Sequence, residues 1–268
     1  METKASTLTL RHPLKIFFAV VRALFLRELN TRFSQGRLGL FWTFFQPFFQ
    51  IALFVLLHAL ILQGEELSTY DYTVFMASGF IAFNLFRGIL SSSIGAFDAN
   101  KGIFVYKQVK PIDTVITRVL LETFMTGVII IIFLLIGFFL RYDNMHPENF
   151  VMVTLSFFWL IVFSTGIGLL VAVGSTFFPS IGKTVSILSF ILLFTSGVFY
   201  SLENVPPEAQ TLLLYNPVLH FMEMIHGFYI PELTTRYVDY NYMLLWTVIP
   251  LFLALWLYVR LEKRIISA

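Results

Sequence analysis

The sequence contains no cysteine. That excludes disulfides, thiolate nucleophiles and cysteine-held metals, and it leaves the redox compartment open. Charge is also scarce. Asp, Glu, Lys and Arg make up 13% of the 268 residues, against roughly 25% in an ordinary soluble domain. With 57% apolar residues and a mean hydropathy of +0.80, the composition argues against a soluble fold. The short alternating segments of a membrane barrel are missing too. No phosphate loop is present: "IGKT", Ile181 to Thr184, has Phe177 where such a loop needs its first glycine. If ATP is used, another chain binds it. The stretch Ile16 to Leu26 is interrupted by Arg22 and is followed by no small-residue cleavage site, so it does not read as a cleavable signal.

What is present is a series of continuous apolar runs. Several reach the roughly 20 residues a helix needs to cross about 30 Å of hydrocarbon. The expected fold is an all-α membrane protein of six transmembrane helices: Leu40–Leu62, Tyr72–Ser93, Thr114–Leu140, Phe150–Gly174, Ile181–Ser201 and Tyr242–Arg260. Residues 1–39 are expected to form a tail with an interfacial helix, 40–260 the six-helix transmembrane domain and 261–268 a second tail. Fifteen Lys and Arg residues fall on the side of both termini, and only Arg141 and Arg236 in the opposite loops. Both termini are therefore expected in the cytoplasm. The outer loops collect acids, among them Glu65, Glu66, Asp71, Asp143 and Glu148.

Ahead of the first run, Pro13 suits a first helical position, and Leu14, Phe17, Phe18, Val21, Phe25 and Leu29 share a stripe. Ile16, Val20, Leu24 and Leu26 dilute it. A cationic helix of this kind is expected to lie in the cytoplasmic interface, the bland option being a helix packed on the spans. Val205 to Ile230 is too apolar for a solvated loop and is broken at Asn216-Pro217. Two short helices dipping back into the outer leaflet are expected there, with protein or a water-filled cavity covering their ends.

Titratable groups give little chemistry. His220, Glu223 and His226 share a short helix, but the two histidines diverge around it, so a packed helix is favoured over a metal site. Arg87 and Glu122 lie in the cytoplasmic half and are expected to pair, with Arg118 joining at i−4. No chain of acids crosses the bilayer, which argues against a proton-coupled carrier, and no nucleophile–base set sits at a defined depth.

Three stretches resemble one family. "RELNTRFSQGRLGLFWTFFQP", "NKGIFVYKQVKPIDTVITRVLLE" and "YNPVLHFMEMIHGFYI" are similar to the lead-in to the first span, the first cytoplasmic loop and the outer re-entrant segment of type-2 ABC exporter permeases that export polysaccharides. The likeness runs from about Arg27 to the C-terminus, and the first loop looks most like that of capsular polysaccharide permeases of Gram-negative bacteria. The resemblance implies a homodimer with two copies of a separate ATPase that holds ATP and Mg, and a lipid-linked polysaccharide as cargo in the inner membrane. Periplasmic and outer-membrane export partners belong to the same picture; nucleic acid does not. It also implies a coupling helix near Phe97–Val109, docking on the ATPase through Asn100, Lys101, Ile103, Phe104 and Tyr106. Of these, Ile103, Phe104 and Tyr106 are apolar residues in a polar loop, as a partner surface requires.

With polymer export as the resemblance implies, the residues at the first and fifth runs offer a path. Arg27, Arg32 and Arg37 form a collar at the headgroups, or contact a pyrophosphate or acidic linker. Trp42, Phe44, Phe45, Phe48 and Phe49 supply faces on which sugar C–H groups can slide, unless they are a packing belt. In the fifth run, Ser186, Ser189 and Thr195 add small or hydroxylated contacts. Asn216 and Pro217 would stand at the outer mouth as a gate. The alternatives are an exporter of another glycan, of O-antigen or teichoic-acid type, and a membrane-embedded transferase on lipid-linked sugars.

Overall fold

The computed structural model describes residues 13–34, 37–62, 70–142 and 145–267. Among these the chain is helical, with no strand: α1 (Pro13–Ser34), α2 (Arg37–Leu62), α3 (Tyr72–Ser93), α4 (Pro111–Leu140), α5 (Phe150–Phe177), α6 (Ser180–Thr195), α7 (Pro207–Leu213), α8 (Pro217–Tyr229) and α9 (Tyr240–Ser267). Short 3-10 turns cover Asp98–Ile103 and Leu202–Asn204. Glu65, Glu66 and Asp143 lie outside the described residues, as does the side chain of Arg37.

The helix starts are written in local chemistry. The Asp71 carboxylate accepts from Thr73 N at 2.9 Å and Val74 N at 3.3 Å, which begins α3. Asn149 caps α5 through Met152 N at 3.1 Å. Asp113 accepts from Lys110 N at 2.9 Å and Pro111 takes the first helical position, so α4 begins three residues before the expected Thr114.

α3, α4, α5 and α9 are each long and apolar enough to cross a membrane, and two shorter apolar helices, Phe44–Leu60 and Ser180–Thr195, fall where the first and fifth runs were expected. α3 is the central helix, 78% buried over its apolar window. α5 packs on it and makes its most extensive contact with α9. Small residues permit this: a Cβ on Gly166 would stand 3.0 Å from the Leu251 backbone nitrogen of α9, and one on Gly168 would stand 2.8 Å from Ser93 Oγ of α3. Rings fill the remaining space, with Phe163 stacked on Phe86 at 5.8 Å and on Phe221 at 4.7 Å.

The bundle has two ends. At one, α1 lies along α4, and Phe97 meets Tyr258 of α9 at 6.5 Å. At the other, α8 packs under the starts of α3, α5 and α9. α1 departs from its expected stripe. Val21 and Leu24 are buried whereas Leu14 and Phe18 are exposed, because the contact face is set by α4. Two further boundaries differ. α6 stops at Thr195, six residues early, because Gly197 turns the chain with φ +72°, a left-handed value open to glycine. At 16 residues α6 is about 24 Å long. α9 does not end near Arg260 but continues to Ser267, taking up the expected second tail.

Candidate functional site

Three places carry the chemistry. At the α1 end, a polar net joins α1 to α4. Arg32 pairs with Glu122, Arg27 donates to Asn100, and Arg118 donates to the Ser92 carbonyl. Arg118 Nε also stands 3.9 Å from the Glu28 carboxylate. The expected Arg87–Glu122 pair is corrected. Glu122 turns to α1, lying over Gly88, where an added Cβ would meet its Oε2 at 2.9 Å, while Arg87 is exposed. Helical spacing within two runs could not reveal a partner from a third helix. Arg27 and Arg32 thus already have protein partners.

The loop beside this net corrects the expected exposure of two residues. Phe104 is only 7% exposed and packs into the core, and Asn100 is 3% exposed, its amide donating to the Ala96 carbonyl at 2.9 Å. Ile103 is half-buried. The outward surface is made instead by Lys101, Val105 at 82% exposure and Tyr106 at 68%. Val105 was missed, since nothing in the local sequence says which of four consecutive apolar residues the loop sends inward.

The second place is the exposed face of α2. Phe41, Phe45 and Phe49 form a ladder with centroids 4.9 and 5.8 Å apart, and Trp42 sits edge-on to Phe45 at 5.7 Å. Phe44 and Phe48 are half-buried, and Phe48 packs on the core. The rings therefore divide into an open ladder and a packed pair. α6 also presents an open apolar face: Ile187, Phe190, Ile191 and Phe194. Its hydroxyls do less than expected. Ser189 is buried at 3% exposure and is corrected as an open contact, since it turns inward with Val185 and Leu193. Ser186 and Thr195 donate to carbonyls of their own helix, at 3.0 and 3.2 Å.

The third place is the α6–α8 joint. Asn216 caps α8 through Val218 N at 3.0 Å, with Pro217 first in the helix. The same amide donates to the Thr195 carbonyl at 3.1 Å and to Ser196 Oγ at 2.9 Å, so one side chain ties the end of α6 to the start of α8. Behind it, three titratable groups of α8 go to separate partners. His220 Nδ1 accepts from Asp239 N at 3.2 Å while Nε2 faces the Leu214 carbonyl at 2.9 Å, which fixes the neutral Nε2–H tautomer. The Glu223 carboxyl accepts from Leu202 N at 3.0 Å, and burial pushes its pKa up to about 7. His226 is buried against Phe75 at 4.0 Å, and neither ring nitrogen has a hydrogen-bond partner among the described residues. Burial pushes its pKa down to about 3.

A fourth feature was not seen in the sequence. A cavity of about 180 Å³ lies among α1, α2, α3 and α4, lined in part by Arg32, Gln46, Gln50, Asn84, Glu122 and Thr126. The signal was available: Gln46 and Gln50 are neutral amides one helical turn apart inside an uncharged, aromatic run.

A bundle of long apolar helices with an open aromatic face has the build of a membrane-embedded protein. The comparisons agree. Residues 19–229 match the ABC-2 type transporter family, and the chain belongs to it. It is 34% identical over 248 residues to the polysialic acid transport protein KpsM of Escherichia coli, covering 92% of this chain and 95% of that one. Over 222 residues it is 30% identical to the capsule polysaccharide export inner-membrane protein BexB of Haemophilus influenzae, covering 82% and 83%. The capsule polysaccharide export inner-membrane protein CtrC of Neisseria meningitidis is 28% identical over 250 residues, 92% of each chain.

Proposed function

We propose that this chain is the permease of an ATP-driven exporter that moves a lipid-linked capsular polysaccharide across the inner membrane, outward from the cytoplasm. The observation that carries the reading is the near full-length likeness to the polysialic acid and capsule transport proteins. Six crossings are read from the apolar runs and the inside position of both termini from the cation asymmetry, with α7 and α8 dipping into the outer leaflet. Two copies face each other through α2 and α6, whose open apolar faces are large and otherwise meet only lipid. Between them the polymer slides on the Phe41–Phe45–Phe49 ladder, where weak repeated ring contacts hold no sugar long. A separate ATPase binds ATP and Mg and pushes on the loop surface of Lys101, Val105 and Tyr106. The Asn216–Pro217 joint forms the outer mouth.

Deletion of the gene in its own host tests this. Polymer should vanish from the surface and accumulate inside the cell, and resupplying the gene should reverse both. Loss of O-antigen with capsule intact would reassign the cargo. Unchanged surface glycans would overturn the reading.

A further inference from the structure

The cavity among α1, α2, α3 and α4 sits where a membrane protein is expected to be dry. Glu122 lies eleven residues beyond the start of α4, about 16 Å along its axis. Gln50 lies thirteen residues into α2 and Asn84 nine residues before the end of α3. Polar side chains at such depth carry a cost unless they are satisfied. Arg32 and Glu122 satisfy each other. Gln46, Gln50, Asn84 and the Thr126 hydroxyl hydrogen-bond to nothing among the described residues, although all four line the same space of about 180 Å³.

The character of the lining limits the ligand. The one cation and the one anion are paired, so the cavity has no net charge with which to draw in a bare phosphate. Three amides and a hydroxyl each offer both donors and acceptors. That pattern matches groups which also donate and accept at each position, namely adjacent hydroxyls. The place is suited as well. Gln46 and Gln50 follow Phe45 and Phe49 by one residue, about 100° around α2, so the amide face adjoins the aromatic ladder. We propose that this cavity binds the hydroxyl-rich head of an amphiphile, a sugar or glycerol head, held by Gln46, Gln50, Asn84 and Thr126 over the Arg32–Glu122 pair. The export reading enters only in naming the cargo's sugar as one source of that head; a glycerol-headed membrane lipid is the other.

The absence of native cysteine permits a direct test. The full chain carrying Thr126→Cys is reconstituted in vesicles of phosphatidylethanolamine alone, with phosphatidylglycerol, or with a diacylglyceryl glucoside, and its reaction with N-ethylmaleimide is timed. A hydroxylated lipid should slow labelling at least tenfold relative to phosphatidylethanolamine alone, and Gln50→Leu should restore the fast rate. Protection by phosphatidylglycerol alone assigns the site to membrane lipid, protection by the glucoside alone assigns it to a glycan head, and protection by both supports any hydroxylated head. Equal rates in all three vesicles, fast or slow, overturn the proposal. Should the cysteine itself disturb the cavity, native mass spectrometry of the cysteine-free chain decides: Asn84→Leu should retain at least tenfold less hydroxylated lipid, and equal retention overturns the proposal. Surface polymer is scored separately, so a failure here with export intact removes the cavity ligand and leaves the transport reading standing.

Discussion

α3 and α2 are both apolar and rich in phenylalanine, yet they have opposite fates. α3 buries Phe75, Phe83 and Phe86 almost completely, while α2 leaves Phe41, Trp42, Phe45 and Phe49 open. Hydropathy does not separate them. Small residues do. Gly79, Gly88 and the buried Ala77 and Ala82 let neighbours close on α3, and Gly166 and Gly168 do the same on α5. α2 has one glycine, Gly39, at its start, and α6 one, Gly182, and rings and branched chains make up most of the rest of their open sides, with Ala52 and Ala59 on α2 and Ser186 on α6 between them. In a membrane protein, closeness of helices follows where the small residues are, since lipid is as apolar as any side chain. α3, α5 and α9 are thus held together as the closely packed frame, while α2 and α6 keep open apolar faces, as the far side of α9 also does.

The sharpest way to break that contrast is to make the frame resemble the open face. Gly166→Leu drives a side chain into the α9 backbone at Leu251, where a Cβ alone would already stand 3.0 Å from its nitrogen. Overpacking against backbone, with no flexible neighbour to give way, should cost about 3 kcal/mol or more. The expected outcome is loss of the folded, monodisperse protein on size-exclusion chromatography in mild detergent. Normal yield and elution would show that α5 and α9 are not the rigid frame.

A smaller effect concerns the buried carboxyl of α8, a helix of 13 residues, too short to span. Burial raises the Glu223 pKa from its ordinary 4.5 to about 7. The folded state thus holds its proton more tightly than the unfolded chain does. The stabilisation linked to that proton is full below about pH 4.5, declines as pH rises toward 7 and is lost above it. Glu223→Gln keeps an acceptor for Leu202 N and removes the titration. Thermal unfolding in detergent should show the wild type losing Tm between pH 5 and pH 8 relative to the Gln variant. For a chain of this size each kcal/mol moves Tm by about 2–4 °C. Parallel profiles would mean that Glu223 reaches water.

Much of this was legible in advance and some was not, for physical reasons. The apolar runs, the break at Asn216-Pro217 and the helix after Pro13 follow from length, proline and spacing, which are local. The fates of Phe104 and Ser189 depend on which neighbour closes over them, and a single sequence does not contain that. The Arg32–Glu122 pair needs α1 folded back on α4. The Gln46–Gln50–Asn84 cavity needs four helices at once, although the two glutamines signalled it within one run. The aromatic ladder was half legible: ring density marked α2, but only the packing of Phe48 and the exposure of Phe45 and Phe49 divide open rings from packed ones.

That division gives the smallest effect on stability and a large one on transport. Phe45 and Phe49 touch each other but lie outside the buried core. Replacing either with Ala removes area that in one copy meets only lipid, so stability should change by no more than about 0.5 kcal/mol, as for other positions away from a core. If the ladder is the surface on which polymer moves, the double variant Phe45→Ala/Phe49→Ala should reduce surface polymer several-fold at unchanged protein level. Phe48→Ala should do the reverse, weakening the fold by a few kcal/mol through the cavity it leaves, with export falling only as protein is lost. Single cysteines at Phe49 and at Phe190, an outward ring of α6, extend the comparison to the second copy. Disulfide formation between copies at these sites, and none at Phe83 in the buried frame, is the outcome expected of faces that meet across a dimer axis. Full export by the double variant, together with no cross-link at Phe49 or Phe190, would turn the open face of α2 into a lipid anchor and move the path elsewhere in the bundle.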